Sequence, residues 1–277
     1  MVRKNRGEIL IVGPVAIDTI AKEESYGGTA ANMSYGLGIL GLEPMLFSSV
    51  GVDFLGAFEK HLKKCGVDLR VHIDKKNKTA HYYDVFESSK RQNVFHLNAY
   101  KNIAKVSLDK IVPKEDIKNV TFAVFSSSTS ASTVKHIQNL KKYSPNAIII
   151  FDPGREIINF SRTGLTRCMN LCDIFIVNEN EYKQAKNILK KDLRQVFKGK
   201  IIIETLGEKG SIIFDGKKEM KIKAIRPKCV VDTTGAGDAY RAGLIFGLWK
   251  GFSLKKACTI GARLASKNVE YMGCQRY

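Results

Sequence analysis

The strongest chemical signal in the sequence lies late in the chain, where residues 230–238 read VVDTTGAGD before an apolar helical stretch. Gly235 and Gly237 let the backbone approach a ligand closely, and the free N–H groups at a helix start attract anions. Asp238 falls in the first helical turn, beside these groups. A carboxylate there suits phosphoryl transfer, because it can accept the proton of an attacking hydroxyl. The structural alternative is an Asp that only starts the helix.

Two further clusters place polar groups after expected strands. Asp18 follows the first strand, and Gly28 and Asn32 open a helix. A carboxylate and an amide that converge at the carboxyl ends of a sheet can bind a vicinal diol. Asn178 and Glu181 follow a later strand, three residues apart, and oxygen groups of this kind suit Mg²⁺, usually through water. Acidic residues favoured at a helix N-terminus are the alternative for this pair.

Other motifs are absent or badly placed. No G-x-x-x-x-G-K-[ST] sequence occurs, so a P-loop is excluded. The glycines at 36, 38 and 41 match G-x-G-x-x-G but lie in the middle of an expected helix, which favours close helix packing over a dinucleotide site. The six cysteines form no CxxC pair, so we expect reduced thiols rather than a zinc site.

Composition excludes several classes of protein. The 277 residues are 44% hydrophobic and 26% charged, which is ordinary globular usage and argues against disorder or a collagen-like fold. No apolar run approaches the length of a membrane span, and the basic residues 1–6 before Ile9–Val12 lack a cleavage pattern, so we expect a cytoplasmic protein. The net charge of +18 favours anionic partners, but it does not separate a nucleotide from a nucleic acid or from simple solubility.

Short apolar runs alternate with amphipathic stretches along most of the chain. Continuous apolar runs indicate strands that are buried on both faces of a parallel sheet. The alternation predicts an open α/β sheet with helices on both sides. The expected strands are Glu8–Gly13, Leu46–Gly51, Thr121–Ser126, Ala147–Asp152, Asp173–Asn178 and Lys200–Thr205.

Residues 71–98 break this rhythm. Tyr82–Phe86 and Asn93–Leu97 flank a polar turn at 88–91, which is typical of a β-hairpin. A hairpin inserted into an α/β body would project from it, and such projections often act as lids.

Taken together, the three clusters resemble the ribokinase/PfkB family of sugar and nucleoside kinases. The family's order is kept from about Gly13 to Tyr277: Gly-Gly-x-x-x-Asn at 27–32, Asn-x-x-Glu at 178–181 and DTTGAGD at 232–238. The resemblance implies one ribokinase-like domain over residues 1–277, with a doubly wound, mostly parallel sheet and a small β lid from about 16–26 and 70–98. Only eight residues separate Asp18 from Gly27, which indicates a reduced lid.

The same resemblance implies roles for individual residues. Asp238 would be the catalytic base. Arg241 would reach a phosphate or form a structural salt bridge. The other implied roles are an anion hole at Gly235, Ala236 and Gly237; sugar hydroxyls at Asp18, Gly28 and Asn32; a nucleobase at Phe95; the Mg²⁺–phosphate site at Asn178 and Glu181; ATP at Thr205, Gly207 and Gly210; adenine at Asn268; and a monovalent cation such as K⁺ at Asp232 and Thr234.

Within the family, the segments at 27–33, 79–80, 95–99, 152–154 and 238–243 are most similar to prokaryotic adenosine and nucleoside kinases. This implies an ATP-dependent kinase that phosphorylates the primary 5′-hydroxyl of a nucleoside, adenosine above others. A kinase for ribose, fructose or an acidic sugar is the alternative, and a non-catalytic basic nucleic-acid-binding protein is a remote one. We expect small-molecule substrates, no membrane or nucleic-acid partner, and a monomer or homodimer.

Overall fold

Thirteen strands run through the described part of the chain, which covers residues 9–20, 23–87 and 90–277 of a computed structural model. The first, with the sequence ILIV, is wholly buried, as expected of an apolar run between two layers of helices. The strands are β1 Ile9–Val12, β2 Ala16–Ile20, β3 Glu23–Gly27, β4 Met45–Gly51, β5 Asp68–Asp74, β6 Ala80–Glu87, β7 Lys90–His96, β8 Phe122–Ser126, β9 Ile148–Asp152, β10 Ile174–Asn178, β11 Ile201–Thr205, β12 Ser211–Phe214 and β13 Glu219–Ile222.

Nine of these strands form one large sheet in the order β13-β12-β11-β10-β9-β8-β1-β4-β5. The neighbours from β11 to β5 pair in parallel, and β12 and β13 are antiparallel additions at one edge. All six strands predicted from apolar runs are present. Glu8, the predicted start of the first, lies outside the described residues. The strands that the sequence did not predict, β5, β12 and β13, lie at the two edges, where half-buried residues replace continuous apolar runs.

Helices cover both faces of the large sheet, which confirms the doubly wound expectation. Alternate residues of one strand face opposite cores: Leu10 and Val12 belong to one, Ile9 and Ile11 to the other. Among the described residues, no helix is long and apolar enough to cross a bilayer. The helices are α1 Thr29–Ile39, α2 Ala57–Lys64, α3 Leu108–Ile111, α4 Lys114–Lys118, α5 Ser130–Tyr143, α6 Arg162–Leu171, α7 Glu179–Leu189, α8 Leu193–Val196, α9 Ala236–Trp249 and α10 Leu254–Asn268.

The second sheet is small and has the order β3-β2-β6-β7. β6 and β7 form the predicted hairpin. Ser88 and Ser89 of its turn, and residues 21 and 22 between β2 and β3, lie outside the described residues. One boundary of the predicted lid is wrong: residues 70–74 belong to β5, which pairs with β4 of the large sheet. The half-buried pattern of this strand resembles that of the hairpin, so sequence alone does not assign it to a sheet.

The glycines of α1 confirm the packing interpretation of the G-x-G-x-x-G motif. Gly36 and Gly38 lie inside α1 rather than in a strand-to-helix turn. A Cβ on Gly36 would approach the Ala242 Cβ to 2.7 Å, and one on Gly38 would approach the Cys65 carbonyl oxygen to 2.2 Å. These glycines therefore let α1 pack closely against its neighbours.

Candidate active site

A cavity of about 680 Å³ lies where β9, β10 and β11 end and the small sheet begins. The carboxyl edge of a parallel sheet is the usual place for a ligand in an open α/β fold, because loops and helix N-termini converge there. Most of the predicted site residues line this cavity: Asp18, Gly28, Asn32, Phe95, Asn178, Glu181, Thr205, Gly207, Thr234, Gly235, Gly237 and Asp238.

The glycine-rich turn forms the N-terminus of α9 at the cavity wall. Gly235 is the N-cap, with φ of 79°, a left-handed conformation that favours glycine. A Cβ at this position would also lie 2.9 Å from the Cys274 Sγ, so both conformation and space require glycine. The first N–H groups of a helix have no partner within the helix, and the helix dipole favours an anion beside them. The turn thus offers an anion site on the cavity.

Asp238 lies in the first turn of α9, and its carboxylate lines the same cavity. The side chain is held by Asn32, whose Nδ2 donates to Asp238 Oδ2 over 2.8 Å. Asn32 lies in α1, so this hydrogen bond connects α1 and α9, the helices that carry the first and last sequence clusters. The carboxylate is therefore fixed beside the anion site, as the sequence predicted for a proton acceptor.

Burial raises the pKa of Asp238 to about 7, although Arg241 and the Asn32 hydrogen bond act in the opposite direction. Burial also raises the pKa of Asp18 to about 7, and the negative charge of Asp238 adds to this effect. The titration of Asp18 therefore depends on whether Asp238 is ionised. A carboxyl group with a pKa near neutrality can accept and release a proton under ordinary conditions.

The small sheet contributes one wall of the cavity. Asp18 from β2, Tyr82 from β6 and Phe95 from β7 line it. Tyr82 and Phe95 are direct partners across the hairpin, so their side chains share one face. Tyr83 lies on the opposite face, where its ring stacks on His81 at 4.0 Å. Tyr82 therefore reaches the cavity together with Phe95, the residue predicted to contact a nucleobase, and Tyr83 does not.

The Asn178–Glu181 pair forms a capping box at the start of α7. Asn178 Oδ1 accepts from the Glu181 N–H, and Glu181 Oε2 accepts from the Asn178 N–H, both over 2.9 Å. The helix-start interpretation is thus correct, but Glu181 also lines the cavity and is 7% exposed. Burial, followed by the charge of Asp152, raises the pKa of Glu181. One carboxylate oxygen is used by the cap, and the other can accept from a ligand or a water.

The sequence did not predict the role of Asp152, which forms a buried ion pair with Arg241. The Arg241 Nε lies 2.6 Å from Asp152 Oδ2, and Nη2 donates to Oδ1 over 2.9 Å. Arg241 therefore forms the structural salt bridge that was one of its two expected roles. Asp152 ends β9 as Asn178 ends β10, so its position at a strand end was a usable signal. Arg155, whose guanidinium lies 5.1 Å from the Tyr82 ring, also lines the cavity and carried no such signal.

Four predicted residues do not line the cavity. Ala236 is the first residue of α9, between two that do. Asp232 links the start of the glycine-rich turn to Gly273, since its carboxylate accepts from the N–H groups of Thr234 and Gly273, both over 2.9 Å. Gly210 turns the chain from β11 to β12, and Asn268 is fully buried at the end of α10. The expected adenine, ATP and monovalent-cation contacts of these residues stay predictions.

No group of three or more His, Cys, Asp or Glu side chains in the described ranges is arranged to hold a metal ion directly. The carboxylates of the cavity are instead spread around its wall, at Asp18, Asp152, Glu156, Glu181 and Asp238. A cation such as Mg²⁺ often keeps several waters and binds proteins through one or two carboxylates plus substrate phosphates. Glu181 fits that mode, because its free oxygen needs to reach only a coordinated water.

The sequence model of the pfkB family carbohydrate kinases matches residues 11–277. The chain belongs to this family. This PfkB kinase is 30% identical over 254 residues to a nucleoside kinase of Methanocaldococcus jannaschii, covering 90% of this chain and 81% of the relative. It is 27% identical over 291 residues to an ATP-dependent 6-phosphofructokinase of Thermoanaerobacterium thermosaccharolyticum, covering 96% and 89% of the two chains.

A solved structure confirms the fold of this PfkB kinase. The crystal structure of the Methanocaldococcus jannaschii nucleoside kinase, described as an archaeal member of the ribokinase family, superposes with a TM-score of 0.84 at 27% identity, covering 97% of this chain and 93% of that one. The chain is thus a ribokinase-like phosphotransferase with an alcohol group as acceptor.

Proposed function

We propose that this PfkB kinase transfers the γ-phosphoryl group of ATP to the primary 5′-hydroxyl of a nucleoside, with adenosine as the first candidate. The observation that carries the proposal is the position of Asp238, whose carboxylate shares one cavity with the anion turn, Asp18 and the aromatic pair of the small sheet. The similarity to a curated nucleoside kinase supports the acceptor class.

The chemistry follows from this arrangement. Asp18 and Asn32 orient the sugar hydroxyls, and Asp238 accepts a hydrogen bond from the primary hydroxyl and takes its proton as the new O–P bond forms. The N–H groups of the Gly235–Gly237 turn stabilise charge on the phosphoryl oxygens. The small sheet covers the acceptor and limits the entry of water, which would otherwise compete as a nucleophile.

We assign the donor side of the cavity to ATP and Mg²⁺. Asn178, Glu181, Thr205 and Gly207 line that part of the wall. Glu181 would hold the metal through water, and magnesium would neutralise charge on the phosphates. Asp232 and Thr234 are the residues that we assign to a monovalent cation.

A sugar kinase is the second candidate, and the similarity to a 6-phosphofructokinase favours it. A free sugar or sugar phosphate offers the same primary alcohol to Asp238 but lacks a ring system for Tyr82 and Phe95. Phosphorylation of a nucleoside should therefore depend on Tyr82 and Phe95 more strongly than phosphorylation of a sugar, and this difference can be measured.

The decisive experiment offers the purified chain ATP, Mg²⁺ and a panel of adenosine, inosine, cytidine, ribose, fructose and fructose 6-phosphate, with phosphorylated products identified by mass spectrometry.

We expect Phe95→Ala to raise KM for the preferred nucleoside roughly 5- to 100-fold, because base–aromatic stacking contributes about 1–3 kcal/mol.

The matched control is Val94→Ala. Val94 and Phe95 are adjacent in β7 and equally exposed, at 37%, but successive strand residues point to opposite faces, and Val94 does not line the cavity. We expect KM to stay within about twofold in this variant, since surface changes usually have small effects. Phosphorylation of ribose or fructose 6-phosphate without any nucleoside turnover would contradict the proposal.

A further inference from the structure

The last five residues of the chain, 273–277, form a segment along the active site that we call the C-terminal strap. The Gly273 N–H donates to Asp232 Oδ2 over 2.9 Å, below the anion turn. The Cys274 Sγ lies 4.0 Å from Asp18 Oδ2, and Cys274 lines the cavity. Gln275 follows and is 5% exposed. The strap therefore contacts residues of the first and last clusters at once.

Gln275 is the outer member of a series of three side chains that ends at the proton acceptor. Its Nε2 donates to Asn32 Oδ1 over 2.9 Å, and Asn32 Nδ2 donates to Asp238 Oδ2 over 2.8 Å. An ionised carboxylate only accepts hydrogen bonds, so Asn32 must present its NH₂ group to Asp238. The Asn32 oxygen then faces Gln275, which must present its own NH₂ group.

We propose that Gln275 is a positioning residue for phosphoryl transfer, which holds the Asn32 amide in the orientation that presents Nδ2 to the Asp238 carboxylate. The inference rests on the proposed function, because it takes Asp238 as the base. Without a donor at position 275, the Asn32 amide can turn over. Its oxygen would then face the carboxylate, disfavour its charge and displace it from the hydroxyl that it must orient.

His61 lies beside Gln275, and both residues line a neighbouring pocket. Gln275 Oε1 and His61 Nε2 are both buried with no other hydrogen-bond partner among the described residues, and the contact with Gln275 acts to raise the pKa of His61. Burial lowers the pKa of His61, which favours its neutral imidazole. A proton on Nε2 would give Gln275 Oε1 a donor, which keeps the amide nitrogen of Gln275 directed toward Asn32.

The test replaces the donor with an acceptor of the same shape. In Gln275→Glu, the carboxylate accepts from Asn32 Nδ2 and turns the amide, so we expect kcat to fall roughly 10- to 100-fold, the effect of losing a hydrogen bond to a charged group. Gln275→Leu removes the donor without reversing it, so its kcat should lie between wild type and Gln275→Glu. KM for ATP should stay within about threefold. Arg276→Ala, an exposed neighbour in the strap, should keep wild-type kinetics.

The pH profile gives a readout that a merely structural role would not move. The Asn32 hydrogen bond lowers the pKa of Asp238, so its loss should shift the acid limb of kcat/KM to higher pH in Gln275→Leu, which adds no charge of its own. The other groups that act on the Asp238 carboxylate stay unchanged in this variant. They are Arg241 of α9, Asp152 of β9, Glu181 of α7, Asp18 of β2, and Cys274 and Tyr277 of the strap.

A coupling experiment completes the test. In an Asn32→Ala background, Gln275→Glu should cause no further loss of kcat, because its effect passes through the missing amide. An equal loss in both backgrounds, an unchanged pH profile, or a Gln275→Leu variant as slow as Gln275→Glu would overturn the inference. If Gln275→Glu does not fold, the loss of kcat in Gln275→Leu, measured in the wild-type and Asn32→Ala backgrounds, tests the inference instead. A wild-type chain that phosphorylates no alcohol would overturn the proposed function instead.

Discussion

At the residue scale, the proposed catalysis depends on the charge of one carboxylate, that of Asp238. The pKa of Asp238 is raised to about 7 chiefly by burial, and Arg241 limits the rise. A pKa near neutrality makes Asp238 a better proton acceptor than an exposed Asp. If Asp238 is the base, as proposed, a measurable fraction of the free enzyme is inactive at neutral pH, because a protonated carboxyl cannot accept the hydroxyl proton.

We expect Asp238→Asn to lower kcat by about 10²–10⁴ while nucleotide binding survives, since general-base catalysis contributes factors of this size. In the wild type, kcat/KM should rise with pH through about 7, as the raised pKa of the Asp18–Asp238 pair implies. Steady-state kinetics between pH 5.5 and 8.5 measure the kcat of the variant and the pH dependence of kcat/KM in the wild type. Asp215→Asn, in a turn outside the cavity, is the control. Near-wild-type turnover of Asp238→Asn would reject the assignment of the base.

At the scale of elements, the position of Asp238 depends on how α9 packs. α9 contacts α1 on one side and α10 on the other. Gly243 of α9 and Gly261 of α10 allow these two helices to pack closely, because a Cβ on Gly243 would lie 2.8 Å from the Gly261 Cα. The helix that carries Asp238, the proposed base, at its first turn is therefore located by contacts further along its own length.

Gly243→Ala should destabilise the protein, because overpacking costs about 1–3 kcal/mol and outweighs the gain in helix propensity of about 1 kcal/mol. We also expect a lower kcat, as the shift of α9 moves Asp238. Urea unfolding and single-substrate kinetics measure these effects. Arg263→Ala, exposed on α10, should change stability by less than about 0.5 kcal/mol. Unchanged stability in Gly243→Ala would contradict the close-packing argument.

At the scale of the whole molecule, the active site opposes stability near neutral pH. In the unfolded chain Asp18 has an ordinary pKa near 3.8, whereas in the folded chain it is raised to about 7, chiefly by burial. The folded state therefore holds a proton that the unfolded state has released, and stability falls as pH rises from about 4 to about 7. Sites built for catalysis commonly oppose stability in this way.

Asp18→Asn removes this titration, so its Tm should match wild type near pH 4, exceed it increasingly up to about pH 7, and then keep a constant excess. Thermal unfolding at a series of pH values measures the difference. Asp215→Asn should show the opposite sign, because hydrogen bonds from the Lys218 and Lys217 N–H groups lower the pKa of Asp215 and stabilise its charged form above the unfolded pKa. A Tm difference for Asp18→Asn that does not depend on pH would contradict the burial argument.

The sequence determined the six central strands, the alternation of helices and the three polar clusters. These follow from local signals: continuous apolar runs for strands buried on both faces, and small or acidic residues at helix starts. The order of the clusters along the chain also sufficed for the resemblance to the PfkB family, which the family match confirms.

Only the tertiary structure assigned β5 to the large sheet, placed Asp152, Arg241 and Cys274 around the cavity, and brought Gln275 into hydrogen-bond contact with Asn32. The physical reason is that partners distant in sequence leave no local pattern. Asn32 and Asp238 are 206 positions apart and Asn32 and Gln275 are 243 apart, yet each pair shares a hydrogen bond. Most of the residues that line the cavity could be predicted from their types and spacing, but the side chains that orient them were decided by packing.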